Sequence, residues 1–223
     1  MHFVARCCLA FTVVAATHAP AWPQEEGESV RAFTIHIDRT PKQTWTGEGV
    51  YLGNGFVITA AHVTGLALWH WPRVDVAGTV FPTSVVKDGH FHNVDLILLS
   101  VDVRQLPVSL GLRHMTLCKK APWPGEPVIV ATPEGVAQSQ VAPPARLPFG
   151  LPAKFRTAIW YVPDSGASGS GVFDANKKCL LGIITRLITA PGDSESGGSP
   201  RSVAKYFIPA SQIEAFLPPG TKF

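Results

Sequence analysis

From residue 32 onward the chain alternates short apolar runs with turn residues. Runs at 32–37, 49–52 and 56–60 surround an Asn54-Gly55 pair, and Asn-Gly between apolar runs favours a tight hairpin because both residues tolerate positive φ. Further runs at 73–76, 80–86, 94–101 and 108–112 complete a first β unit of about residues 30–112. A second series, at 128–131, 158–162, 171–174, 180–188 and 202–208, predicts another β unit of similar size over about residues 118–216. Segments 142–152 and 190–200 are rich in Pro, Gly and Ser and read as exposed loops. Only 210–216 has a helical pattern, and it stops before Pro218-Pro219. The absence of a 20 to 50 residue repeat argues against a solenoid or propeller. The expected fold class is all-β, with one short C-terminal helix.

Composition supports this reading. Charged residues make up 16% of the 223, below the usual quarter, while 20 Gly and 20 Pro supply the turns that many short strands need. The formal charge of +3 is spread along the chain, not gathered into the basic stripe that nucleic-acid binding uses. The first 21 residues have the form of an export signal: Arg6, an apolar run at 7–16, then small residues near a cleavage point after Ala21. That run is too short for a membrane anchor, so the chain is expected to be exported, periplasmic or secreted, without a stable anchor. Cys7 and Cys8 leave with the signal. Cys118 and Cys179 then remain, either as a disulfide that the compartment permits or as two buried thiols.

The segment Gly166-Ala167-Ser168-Gly169-Ser170-Gly171 lies between two apolar runs. Small residues let the backbone turn tightly there, so that the amides of Gly166 and Ser168 can converge on one point as an oxyanion site. Its bland alternative is a flexible Gly/Ser loop. A serine hydroxyl is a weak nucleophile and needs a base, which in turn needs an orienting group. All eight histidines stand at or before His114. This excludes the α/β-hydrolase order of serine, acid, histidine, and Ser170 also breaks the G-x-S-x-G pattern of that fold. His62 closes the apolar run 56–61 and so sits at a strand end. Among the acids between the two, Asp88 precedes Gly89 as a turn residue and Asp164 is too near Ser168 to act as an independent partner, leaving Asp75, Asp95 and Asp102. Asp95 leads into Leu96-Ile97-Leu98-Leu99, where an ionised carboxylate needs a partner such as imidazole Nδ1–H. His62, Asp95 and Ser168 are therefore the expected triad.

The segments Ile58-Thr59-Ala60-Ala61-His62, Asp95-Leu96-Ile97-Leu98-Leu99 and Gly166-Ala167-Ser168-Gly169-Ser170-Gly171 resemble the three catalytic blocks of chymotrypsin-like serine peptidases, in that family's order. The resemblance runs from about Gly49 to Phe216: Gly182-Ile183-Ile184-Thr185 is similar to the substrate-binding strand, and Tyr206-Phe207-Ile208-Pro209 to a late strand of compact bacterial members such as the high-temperature-requirement peptidases. It implies two Greek-key β-barrels and a serine endopeptidase. It also implies a substrate pocket touching Val162 and Thr185. Ala167 stands where trypsins carry the aspartate that pairs with a freshly cut N-terminus, so that switch is not expected. Val162 replaces their acidic pocket base, which points to a small or apolar P1 side chain. Arg186 stands where many relatives have an aromatic residue. The chain ends at Phe223, leaving no room for the PDZ module of the high-temperature-requirement enzymes, so regulation through one is not expected.

The mechanism so implied needs no cofactor or metal, and the expected partner is a peptide or protein substrate; the oligomeric state is not legible. His90-Phe91-His92 would place two imidazoles on one face of a strand, as in a metal site, but a polar strand face is the simpler reading. The six tryptophans, Trp69 and Trp71 among them, read as core or barrel-rim residues. The rival to an active endopeptidase is an idle homologue that only binds peptides in its cleft.

Overall fold

The computed structural model describes residues 25–39, 46–65, 71–162, 166–191 and 199–222. The export signal at 1–21, Trp69, Asp164 and most of the 190–200 loop lie outside them. A short helix α1 (Glu25–Arg31) precedes seven strands: β1 (Thr34–Asp38), β2 (Gly47–Gly53), β3 (Phe56–Thr59), β4 (Arg73–Val76), β5 (Thr79–Pro82), β6 (Ser84–Asp88) and β7 (Ile97–Ser100). A helical turn α2 (Ala61–Thr64) follows β3, and another, α3 (Val108–Gly111), follows β7. Six more strands complete the chain: β8 (Pro127–Ala131), β9 (Val136–Gln140), β10 (Ala158–Trp160), β11 (Gly171–Asp174), β12 (Leu180–Ala190) and β13 (Arg201–Pro209), before helix α4 (Ala210–Phe216).

The strands form two antiparallel sheets, ordered β5-β4-β1-β2-β3-β7-β6 and β10-β13-β12-β11-β8-β9. A bridge between Val141 and Ile159 joins the ends of the second sheet, which closes it into a barrel. Alternation puts Tyr51, Val57, Ile97 and Leu99 into one core inside the first sheet. The opposite faces of the same strands, through Val50, Leu52, Ile58, Leu96 and Leu98, pack with Phe173, Ile183, Ile208 and Phe216 in a core shared by the two units. The fold is thus mostly β, in two sheets, with a short C-terminal helix.

Some expected elements take other forms. Residues 108–112 make the helical turn α3, not a strand: Val108 and Leu112 are exposed and only Leu110 is buried. The run 80–86 divides at Thr83 into β5 and β6, and the strand expected at 94–101 starts only at Ile97. β9 and α1 were not expected. The 142–152 loop is pinned by Ala142 and Leu147, which are buried in the shared core, and Trp71 is 79% exposed. Cys118 and Cys179 are joined in a disulfide with Cα atoms 5.1 Å apart. The chain brings them together by pairing Cys118 N–H with Leu180 O at 3.0 Å and Leu180 N–H with Thr116 O at 2.8 Å.

Candidate active site

Strands β3 and β7 run side by side with Thr59 opposite Ile97. Three residues past Thr59 and two before Ile97, His62 and Asp95 therefore emerge at the same end of the sheet. Ala60 and Ala61 are buried and small, which lets the chain turn directly into α2 and carry the imidazole over the strand end. Arg39 Nη2 steadies this turn by donating to His62 O at 2.8 Å. Asp95 is 7% exposed. Its carboxylate accepts the His62 backbone amide at 3.1 Å and lies 2.9 and 3.1 Å from His62 Nδ1. This two-point hold places the proton on Nδ1 and makes Nε2 the acceptor. Asp95 thus sits just before the strand, not within it.

Ser168 lies in a loop of the second unit whose glycines have structural reasons. Gly166 and Gly169 have φ of +76° and +94°, a region other residues rarely adopt. A Cβ on Gly169 would fall 1.7 Å from Glu48 O. The loop is pressed that closely onto β2. Glu48 N–H donates to Ser168 O at 2.9 Å, and Gly169 N–H to Ile184 O at 2.7 Å. A Cβ on Gly47, the neighbour of Glu48, would meet both Val63 Cγ2 at 2.6 Å and Ser168 O at 2.7 Å, so the first residues of β2 pack against both the His62 turn and the Ser168 loop. Ser168 Oγ donates to Thr185 O at 3.4 Å; among the described residues no hydrogen bond joins it to His62. Such bonds are commonly long without substrate and tighten only in the reacting complex. Among the described residues the Gly166 and Ser168 amides donate to no acceptor.

Thr185 and Asp95 line one small cavity of about 130 Å³ with Phe91, Phe155, Arg186 and Tyr206. Thr185 Oγ1 is buried there without a hydrogen-bond partner among the described residues. Burial, and secondly the charge of Asp95, push the Tyr206 phenol above its ordinary pKa, while Arg186 pulls it back. Val162 lines a different cavity, of about 310 Å³, with Trp160, Ile129 and Gln138. The described residues therefore do not bring Val162 and Thr185 into one pocket. Arg186, which sequence left without a role, lies between two rings, 4.7 Å from the centroid of Phe91 and 5.0 Å from that of Phe155. Phe91 in turn meets the His62 ring edge-on at 5.7 Å. The His90-Phe91-His92 segment is a turn instead of a strand, with His90 at φ +56° and paired with Asp88 at 3.4 Å.

Sequence reasoning missed Glu48. It is 7% exposed, and its carboxyl contacts Ser170 Oγ at 2.6 Å and the Ala167 amide at 3.4 Å. The signal was a single acid inside the otherwise apolar Gly47–Gly53 strand.

No family model and no curated protein matches the sequence. Solved structures do match the fold. The active form of the Rv3671c protease from M. tuberculosis aligns with a TM-score of 0.63 at 16% identity, covering 92% of each chain. The MamO protease domain from Magnetospirillum magneticum aligns at 0.55 and 23% identity, over 85% of this chain and 97% of its own. Kallikrein-related peptidase 10 in complex with Zn2+ aligns at 0.60 and 19% identity, over 83% of this chain and 93% of its own. With two antiparallel sheets, a closing helix and these neighbours, the chain has the chymotrypsin-like serine peptidase fold.

Proposed function

We propose that the protein is a serine endopeptidase that cleaves peptide bonds through an acyl-enzyme on Ser168. The observation that carries this reading is the Asp95–His62 pair, a buried carboxylate 2.9 Å from Nδ1 at the strand end that faces the Ser168 loop. Ser168 Oγ attacks the scissile carbonyl carbon as its proton passes to His62 Nε2. Asp95 stabilises the imidazolium that results, and the amides of Gly166 and Ser168 take the negative charge that builds on the carbonyl oxygen. His62 returns the proton to the departing amine. Water, activated by the same imidazole, then releases the acyl group.

In this reading residues 1–21 direct export and are removed, residues 22–223 are the peptidase unit, and the Cys118–Cys179 bridge suits an oxidising compartment. Among the described residues no helix is long and apolar enough to cross a membrane. One observation supports a second reading, a homologue that binds peptides without cleaving them: the Ser168 hydroxyl bonds to Thr185 O and not to His62.

Hydrolysis of a peptide library by the purified chain separates the two. The endopeptidase reading expects cleavage that falls on the order of 10⁶-fold in Ser168→Ala with an unchanged melting temperature. Undiminished cleavage in that variant contradicts the assignment, and a folded wild type that cleaves nothing favours the binding module.

A further inference from the structure

Ser170 Oγ lies 2.6 Å from Glu48 Oε2 and 2.7 Å from Ala167 O. A serine hydroxyl has one proton to donate. If the carboxyl is ionised, both of these neighbours are acceptors, and one contact is left as two oxygens facing each other with no proton between them. Both become hydrogen bonds when Glu48 holds a proton: the acid donates to Ser170 Oγ, and the Ser170 hydroxyl donates to Ala167 O.

We propose that Glu48 is a positioning residue that works as a neutral carboxylic acid, orienting the Ser168 amide through a proton relay from Glu48 to Ser170 to the Ala167 carbonyl. Ala167 C=O and Ser168 N–H belong to one planar trans peptide, so the direction of the first sets the direction of the second. The preceding peptide is held at both ends as well, by Lys205 Nζ on Gly166 O and by Glu48 Oε1 accepting from Ala167 N–H at 3.4 Å. One side chain of the first β unit thus restrains two successive peptides of the nucleophile loop. That the orientation matters for chemistry rests on the endopeptidase reading; the protonation of Glu48 does not.

The surroundings favour the neutral form. Burial raises the Glu48 carboxyl above its ordinary value; Ser170, then the Ala167 amide, oppose the rise, Glu134 adds to it and His36 opposes it. His36, opposite Glu48 on β1, is tied to Glu134 at 2.8 Å. Glu134, from the turn between β8 and β9, Lys205 of β13 and Tyr161 line a cavity of about 500 Å³ with Glu48. A carboxyl raised on folding stabilises most at low pH. That contribution is lost as pH climbs from the ordinary glutamate value through the folded one, so the Ser168 loop loosens as pH rises through that window.

The test compares wild type, Glu48→Gln and Glu48→Ala by the rate at which a fluorophosphonate probe labels Ser168 across a pH series, with an infrared difference spectrum of wild type minus Glu48→Gln. Gln can donate to Ser170 Oγ and accept from Ala167 N–H without a charge. Glu48→Ala is expected to label more slowly, on the order of 100-fold, as for loss of an oxyanion donor. Glu48→Gln restores most of that loss and lacks the wild type's fall as pH rises through that window, and the difference spectrum holds a protonated-carboxyl band at neutral pH. The proposal is overturned if Glu48→Gln is as slow as Glu48→Ala or if the band is missing. Should no variant label, the endopeptidase reading fails and the infrared band alone decides the protonation.

Discussion

In the first β unit His62 and Asp95 meet because two neighbouring strands, β3 and β7, end together, whereas in the second the Ser168 loop is held by a residue of the opposite unit. The first arrangement is local. Its geometry follows from hydrogen-bond register, and a buried carboxylate with two donors completes it. The second depends on the two units being docked, since Glu48 reaches Ala167, Ser168 and Ser170 by its carboxyl or its backbone. The imidazole is oriented by its own sheet, whereas the serine loop is held both by its own unit, through Ile184 O and Lys205 Nζ, and across the interface by Glu48. The same contacts therefore join the two units and shape the site.

The largest effect is expected on the histidine side. Asp95→Asn keeps the shape but favours the wrong tautomer, and kcat is expected to drop on the order of 10⁴-fold with little change in KM. A modest fall would mean that the register of β3 and β7 suffices without the charge. Gly169→Ala strikes the contact between the units, because its Cβ meets Glu48 O at 1.7 Å and its φ is +94°. Urea unfolding is expected to show a loss of about 4–5 kcal/mol, and a stable, active variant would show that the loop is not scaffolded by β2. Replacing Cys118 and Cys179 with Ser removes a link spanning 61 residues that lies within the second unit. The expected loss is about 4 kcal/mol from chain entropy, read as a melting point lower by roughly 10 °C; a drop in labelling of Ser168 at temperatures where the variant is folded would extend the scaffold to this bridge.

Legibility in the sequence divided along the same line. The blocks around His62, Asp95 and Ser168 could be read because strand ends, small residues and glycine turns leave local marks. Glu48 could not, since its role arises from a contact 122 residues away and its own neighbourhood reads only as an acid beside an apolar run. The helical turn at 108–111 was hidden because exposed Val108 and Leu112 around buried Leu110 fit a strand as well as a helix over so few residues. Strand β9, with the sequence Val-Ala-Gln-Ser-Gln, alternates exposed and half-buried positions, but its half-buried side is Ala137 and Ser139, so the sequence carries no apolar alternation to detect. Arg186 stands for a different limit: its position on the binding strand was legible, but the two rings that flank it come from distant loops.

The central claim is that His62, Asp95 and Ser168 act as one unit, and labelling by a fluorophosphonate probe tests it most directly. Intact-protein mass spectrometry of the wild type is expected to show one adduct, mapped to Ser168, and His62→Ala, still folded by circular dichroism, is expected to show none on the same timescale. A folded wild type that stays unlabelled, or equal labelling in His62→Ala, would contradict the account.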